Sequence, residues 1–237
     1  MSTFLQLAQR VRQEAIGAGA SALPLTVLNQ TGQLKEIVDK TASAWMEIQN
    51  MHRDWRWLRR ECTCTTGVNV GSLAYGDFTD VLNAAPIANF ARWLVGIDLW
   101  TNYPQATGQN AEFSLWWCDF DEWRYRYDRG ANATVQGRPA YYAIAPNNAL
   151  KLGPKTDVAY VIRGWYQQSA VLLAADADVP ALPTQFHEII VWKALIMWAM
   201  DNAAPEKKSQ GEERYANMLY ALESDQLPGP YLAEPLV

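Results

Sequence analysis

The sequence predicts an α+β fold, a mainly α-helical bundle formed by the N- and C-terminal helices with a small antiparallel β insertion in the middle. Three observations lead there. Apolar residues recur at helical spacing at both ends of the chain, the middle is dense in Thr, Val, Tyr and Trp, and Gly and Pro punctuate that middle. With 237 residues, 49% of them hydrophobic, the chain can bury a substantial core. Helices from the two ends share one bundle only if the β-rich middle is an excursion between them. The divisions expected are 1–60 for the first helices, 61–175 for the β insertion, 176–226 for the helices completing the bundle and 227–237 for an extended arm.

Each element has its own signal. Phe4, Leu7, Ala8, Val11 and Ala15 keep helical spacing until "GAGASALP", where glycine and Pro24 end the pattern. Leu34, Ile37, Val38, Thr41, Trp45 and Ile48 then mark one face of a second helix, with Lys35, Glu36, Asp39, Lys40 and Glu47 opposite. From about Arg60 to Gln168, "ECTCTTGV", "FARWLVGIDLW", "EFSLWW", "AYYAIA", "NALKLG" and "DVAYVIRGWYQ" read as short strands. Within this region "DFDEWRYRYDR" fits either period; Phe120, Trp123 and Tyr127 favour a short helix. Helical signals return after Pro183 in "TQFHEIIVWKALIMWAMDNA", apolar all round and hence buried on every side. Pro205 separates it from a last helix whose stripe is Tyr215, Met218, Leu219 and Leu222. No internal repeat is visible.

Composition narrows the function classes. A net charge of -5 and a pI near 5.1 argue against gripping nucleic acid, which needs a clustered positive surface. Cys62, Cys64 and Cys118 are an odd number without disulfide spacing, and the N-terminus is an amphipathic helix pattern rather than a signal peptide, so synthesis in a reduced, intracellular place is expected. The sequons at Asn29 and Asn132 are then chance matches. The longest apolar run, "IIVWKALIMWAM", is about a dozen residues long against the roughly 20 that a membrane span needs.

Four groups of residues invite chemistry. Asp176, Asp178 and His187 could form a metal-dependent hydrolase site, since paired carboxylates beside an imidazole bind divalent metals or split acid and base roles. The preferred reading is structural. Pro180 and Pro183 stiffen a connector, Thr184 caps the following helix, Glu188 sits in its first turn and His187 satisfies a hydrogen bond at the bundle end. Cys62-x-Cys64 with Cys118 lacks the C-x-x-C knuckle of a metal site, and free buried thiols are expected. Eleven tryptophans and eleven tyrosines could build a carbohydrate- or receptor-binding surface, or a core and subunit interfaces. Arg53, Trp55, Arg56, Trp57, Arg59 and Arg60 in "HRDWRWLRR" read as a protein interface or intramolecular pairing before nucleic acid. No nucleophile elbow, phosphate loop or dinucleotide fingerprint is present in the sequence.

The stretches "FLQLAQRVRQEA", "NQTGQLKEIVDKTASAWMEIQNMHRDWRWLR", "GRPAYYAIAPNNALKLGP" and "LAADADVPALPTQFHEIIVWKAL", in that order, resemble the head-to-tail adaptor (connector) proteins of tailed bacteriophages. The resemblance implies a helical-bundle subunit that repeats as a homo-oligomeric, dodecameric ring below the portal protein and extends the DNA channel. Its distal face would meet a tail tube, nozzle or second adaptor protein, and DNA would pass without specific binding. It further implies a virion protein made in the host cytoplasm, with no enzymatic activity, no cofactor and no membrane partner. The C-terminal "LPGPYLAEPLV" cannot be helical because of Pro228, Pro230 and Pro235. Its Leu227, Tyr231, Leu232, Leu236 and Val237 supply apolar surface, and the resemblance implies that this arm engages the portal ring.

Overall fold

The computed structural model describes residues 1–16, 23–96 and 98–227. The chain forms two compact units, Met1–Leu58 together with the chain from Ala170 onward, and Arg59–Ser169. In chain order the helices are α1 (Phe4–Ile16), α2 (Gly32–Met51), α3 (Phe120–Tyr127), α4 (Glu188–Asp201) and α5 (Pro205–Gln226). All but α3 belong to the first unit.

In the helical unit the apolar stripes read from spacing become the core. Phe4, Leu7, Ala8, Val11 and Ala15 of α1, and Ile37, Val38, Trp45 and Ile48 of α2, are all buried. They meet Ile189, Ile190, Val191, Trp192, Leu195 and Trp198 of α4, whose hydrophobic sequence suits the centre of the unit. Burying each such side chain contributes about 1.5–3 kcal/mol. Lys193, the charge inside this apolar run, carries its ammonium out to Glu47 (2.8 Å) and the ring of Tyr215 (5.4 Å). Pro205 opens α5, where its fixed φ suits the first turn and its missing amide breaks no helical bond. Gly211 then lets α5 close on α4, since a Cβ there would lie 2.9 Å from Ile196 Cγ1.

Among the described residues the second unit holds eleven strands. They are β1 (Arg59–Thr65), β2 (Ser72–Leu73), β3 (Thr79–Asp80), β4 (Ala85–Pro86), β5 (Phe90–Trp93), β6 (Thr101–Pro104), β7 (Phe113–Ser114), β8 (Trp116–Trp117), β9 (Tyr141–Ile144), β10 (Leu150–Gly153) and β11 (Tyr160–Gln168). Seven form one sheet, ordered β4-β3-β1-β11-β6-β7 with β5 also paired to β11; four form another, ordered β2-β10-β9-β8. The long antiparallel pair β1 and β11, in register from Arg59↔Gln167 to Thr65↔Val161, is the spine of the first sheet. Its inward residues Cys62, Cys64, Ile162 and Tyr166 pack with Phe78, Trp93 and Trp100. Gly164 stands at the closest approach, where a Cβ would fall 2.2 Å from Trp100 Cε3.

This architecture overturns the expectation of a mainly helical bundle with a small β insertion. Among the described residues the middle of the chain is a unit of two multi-stranded sheets with the short helix α3. The reason is local. The two-residue strands β2, β3 and β4 are too short to show alternation; β10 recruits β2, β1 recruits β3, and β3 in turn pairs with β4.

Candidate functional site

The connector from Leu172 into α4 is a hydrogen-bonded collar. The Asp176 carboxylate accepts the amide of Val27 (2.5 Å), and its carbonyl accepts the amide of Leu5 (3.3 Å). The Asp178 carboxylate accepts the amides of Ala174 (2.7 Å) and Ala175 (2.8 Å), and its carbonyl takes the amide of Phe4 (2.7 Å). Two backbone donors hold the Asp178 carboxyl below its ordinary range. Asp176 and Asp178 thus satisfy first-turn donors of α1, which no helical partner could reach, and anchor the segment before α2.

His187, 2% exposed, is locked at the same end. Its Nδ1 accepts the Ser2 amide (3.2 Å), which leaves the proton on Nε2 to donate to the Leu182 carbonyl (3.2 Å). Burial lowers its pKa and favours this neutral tautomer. Both ring nitrogens are therefore spent on backbone. One expected role is corrected: Thr184 makes no side-chain cap, because residues Thr184–Phe186 form a 3-10 turn and His187 is the residue preceding α4. Glu188 does stand in the first turn of α4. Among the described residues no group of three or more His, Cys, Asp or Glu is placed to hold a metal ion.

The arginine- and tryptophan-rich stretch does not act as one surface. Trp55 (0% exposed) and Trp57 (8%) stack at 4.1 Å inside the helical core, and Trp55 Nε1 donates to the Ile48 carbonyl (3.0 Å). Of the two uses expected, protein interface or intramolecular pairing, Trp55 and Trp57 serve the second. Arg56 donates to the Asp225 carbonyl (3.2 Å) in the last turn of α5, while Arg53 is exposed. Arg59 and Arg60 already belong to β1, where Arg60 Nε bonds Gln168 Oε1 (3.2 Å).

The three cysteines are free and buried. Cys62 donates its thiol to the Gly164 carbonyl (3.4 Å), and burial pushes it far up; burial also takes Cys64 and Cys118 to about 11. Such thiols stay protonated at neutral pH and are poor nucleophiles and metal ligands. Of the C-terminal arm, Leu227 packs partly buried on the helical core, its amide on the Glu223 carbonyl (2.9 Å). Pro228, Pro230, Tyr231, Leu232, Pro235, Leu236 and Val237 lie outside the described residues.

One feature escaped the reading of motifs. On the β unit a depression of about 230 Å³ is lined by Val95, Asp98, Ser114, Trp116 and Trp117, and another of about 270 Å³ by Glu61, Asp98, Thr101, Glu112, Arg163 and Trp165. They share Asp98. Arg163 is hydrogen-bonded to Glu61 and 3.8 Å from Glu112, whose carboxylate accepts the Thr101 hydroxyl (2.6 Å). The paired indoles in "SLWW" were the available signal, but nothing local says whether a tryptophan faces core or solvent.

Compared with known proteins, residues 2–231 match the family model described as SU10 adaptor protein. No curated protein matches the chain.

Proposed function

The chain belongs to the SU10 adaptor protein family, and from that premise we propose that it is a structural virion protein of a tailed bacteriophage, the head-to-tail adaptor that joins capsid to tail. In this reading copies assemble as a dodecameric ring below the portal, extend the DNA channel and present a distal face to a tail tube, nozzle or second adaptor. The family match over residues 2–231 carries the proposal. Three further features support it. The net charge of -5 suits a passage through which DNA must slide, because a positive lumen would hold it. One carboxylate oxygen of Asp176, one of Asp178 and both ring nitrogens of His187 are bonded to backbone groups, which suits a scaffold residue better than an acid or base. Among the described residues, no helix is long and apolar enough to cross a membrane.

The arm from Leu227 to Val237 is the proposed portal contact. Its three prolines restrict the free chain, which reduces the entropy lost when it is ordered on a partner. The test is a pull-down of portal protein by the chain truncated after Leu227. The truncated chain keeps nearly the full-length melting temperature and loses portal binding; binding equal to that of the full chain would move the contact elsewhere.

A further inference from the structure

Tryptophan is the largest apolar side chain, and a folded chain gains most by covering it. Of the eleven tryptophans here, eight are buried; the three exposed ones are Trp116 (57%), Trp117 (50%) and Trp165 (38%). All three stand on the two adjoining depressions that share Asp98. Single exposed apolar residues need no explanation, whereas gathered indoles mark a contact surface.

The backbone at this place is open as well. Among the described residues β7 and β8 each occupy the end of their sheet, and their open sides face opposite ways, because Leu115 donates toward β6 and Trp116 toward β9; the free edge beside the depression is that of β8, Trp116–Trp117. The Leu115, Trp116 and Cys118 amides donate inward, to the carbonyls of Trp100 (2.8 Å), Ala140 (2.9 Å) and Tyr142 (3.0 Å). Because backbone direction alternates along a strand, the Trp117 amide and carbonyl face the open side. Natural edges are blunted by lysine, proline or other charges; this one carries none.

Charge selects the occupant. Three carboxylates, those of Glu61, Asp98 and Glu112, surround one guanidinium, Arg163, which is already engaged by Glu61 and Glu112. Among the described residues no donor is bonded to the Asp98 carboxylate. A cation is therefore wanted beside the indoles, where ring faces attract it. The chain's own C-terminal run has Glu234 and no basic residue, so a second copy's arm has the wrong sign. A neutral saccharide would leave the Trp117 edge and the excess negative charge unmatched.

Resting on the head-to-tail reading for the identity of its partner, we infer that the Trp116–Trp117 edge of β8 accepts an extended segment of a tail protein as an added strand. A lysine or arginine of that segment sits between the tryptophans and Asp98. The test uses the full-length chain in phage grown on a suppressor host, with the photo-crosslinker benzoylphenylalanine in place of Trp117, or of the rim residue Val95 if that protein fails to fold. Crosslinked peptides are identified by mass spectrometry. The expected result is one tail protein, joined through a segment that contains lysine or arginine, with at least a tenfold lower yield when Asp98→Lys is added. Crosslinks to another copy of the chain or to portal, or none from a chain present in the virion, overturn the inference and leave the head-to-tail reading standing. Absence of the chain from purified virions overturns both.

Discussion

The carboxylate of Asp176 accepts the backbone amide of Val27, a residue 149 positions earlier in the chain, at 2.5 Å. That single bond fixes the loop before α2 to the connector before α4, and Val27 is itself 7% exposed. Its amide would otherwise be stranded away from water.

Asp176→Ala therefore lowers stability by about 1.5–3 kcal/mol, the usual loss when a hydrogen bond to a charged acceptor is removed. Asp176→Asn keeps a neutral acceptor and loses less. Thermal unfolding of the two variants checks the order. Equal melting temperatures for both variants and the parent would show that Asp176 is not an anchor.

His187 predicts a pH dependence. Its folded pKa is depressed below the ordinary 6.5 by burial, so the folded chain resists the proton that the unfolded chain takes up. The contribution is complete above about 6.5 and is lost as pH falls through that value toward the lower folded pKa. His187→Gln is less stable at pH 7.5 yet changes less between pH 7.5 and 5.5 than the parent does. Parallel denaturant midpoints across this window would contradict the neutral, doubly bonded imidazole.

In the β unit the Tyr166 hydroxyl donates to Asp80 Oδ2 at 2.6 Å, while Asp80 Oδ1 accepts the Asn83 amide at 3.0 Å. Asp80 is 2% exposed, so its carboxylate oxygens need these donors in place of water. Tyr166→Phe removes one of them and destabilises the chain by about 1.5–3 kcal/mol. Adding Asp80→Asn to Tyr166→Phe recovers part of that loss, since the stranded charge is gone. A double variant less stable than the single one by the full cost of a second lesion would refute the pairing.

How far the sequence speaks depends on the length of the pattern. Ile37, Val38, Trp45 and Ile48 repeat over twenty residues of α2, and spacing alone placed them on its buried face. Phe120, Trp123 and Tyr127 likewise pointed to α3, where Asp119 caps the first turn through the Asp121 amide (2.9 Å). By contrast Ser72–Leu73 and Thr79–Asp80 are strands only because β10 and β1 lie beside them, which no local signal reports. The β unit is larger than its local patterns predict for that reason. Tryptophan was equally mute: Trp55 and Trp57 were legible as a cluster, but whether they faced in or out was decided by the packing around Ile48 and its carbonyl. The carboxylates of Asp176 and Asp178 announced a site by their spacing, and only their partners, Val27, Ala174 and Ala175, gave it a structural use.

The acidic balance predicts the behaviour of the isolated protein toward DNA. With a net charge of -5 and the arginines of "HRDWRWLRR" divided between an exposed turn, a helix end and a strand, too few phosphates can be neutralised for tight binding. Mobility shift at physiological salt shows no retention of duplex, and any association at low salt falls steeply as salt rises. Tight, sequence-independent binding at physiological salt would replace a conduit with a DNA-gripping protein.

Electron cryomicroscopy of the intact virion tests the central claim most directly. A head-to-tail adaptor appears as a ring of this chain at the portal exit, coaxial with the DNA channel, with helical and β units both resolved in each copy. The chain located at a fibre tip or on the capsid shell, or missing from the particle altogether, would contradict the assignment.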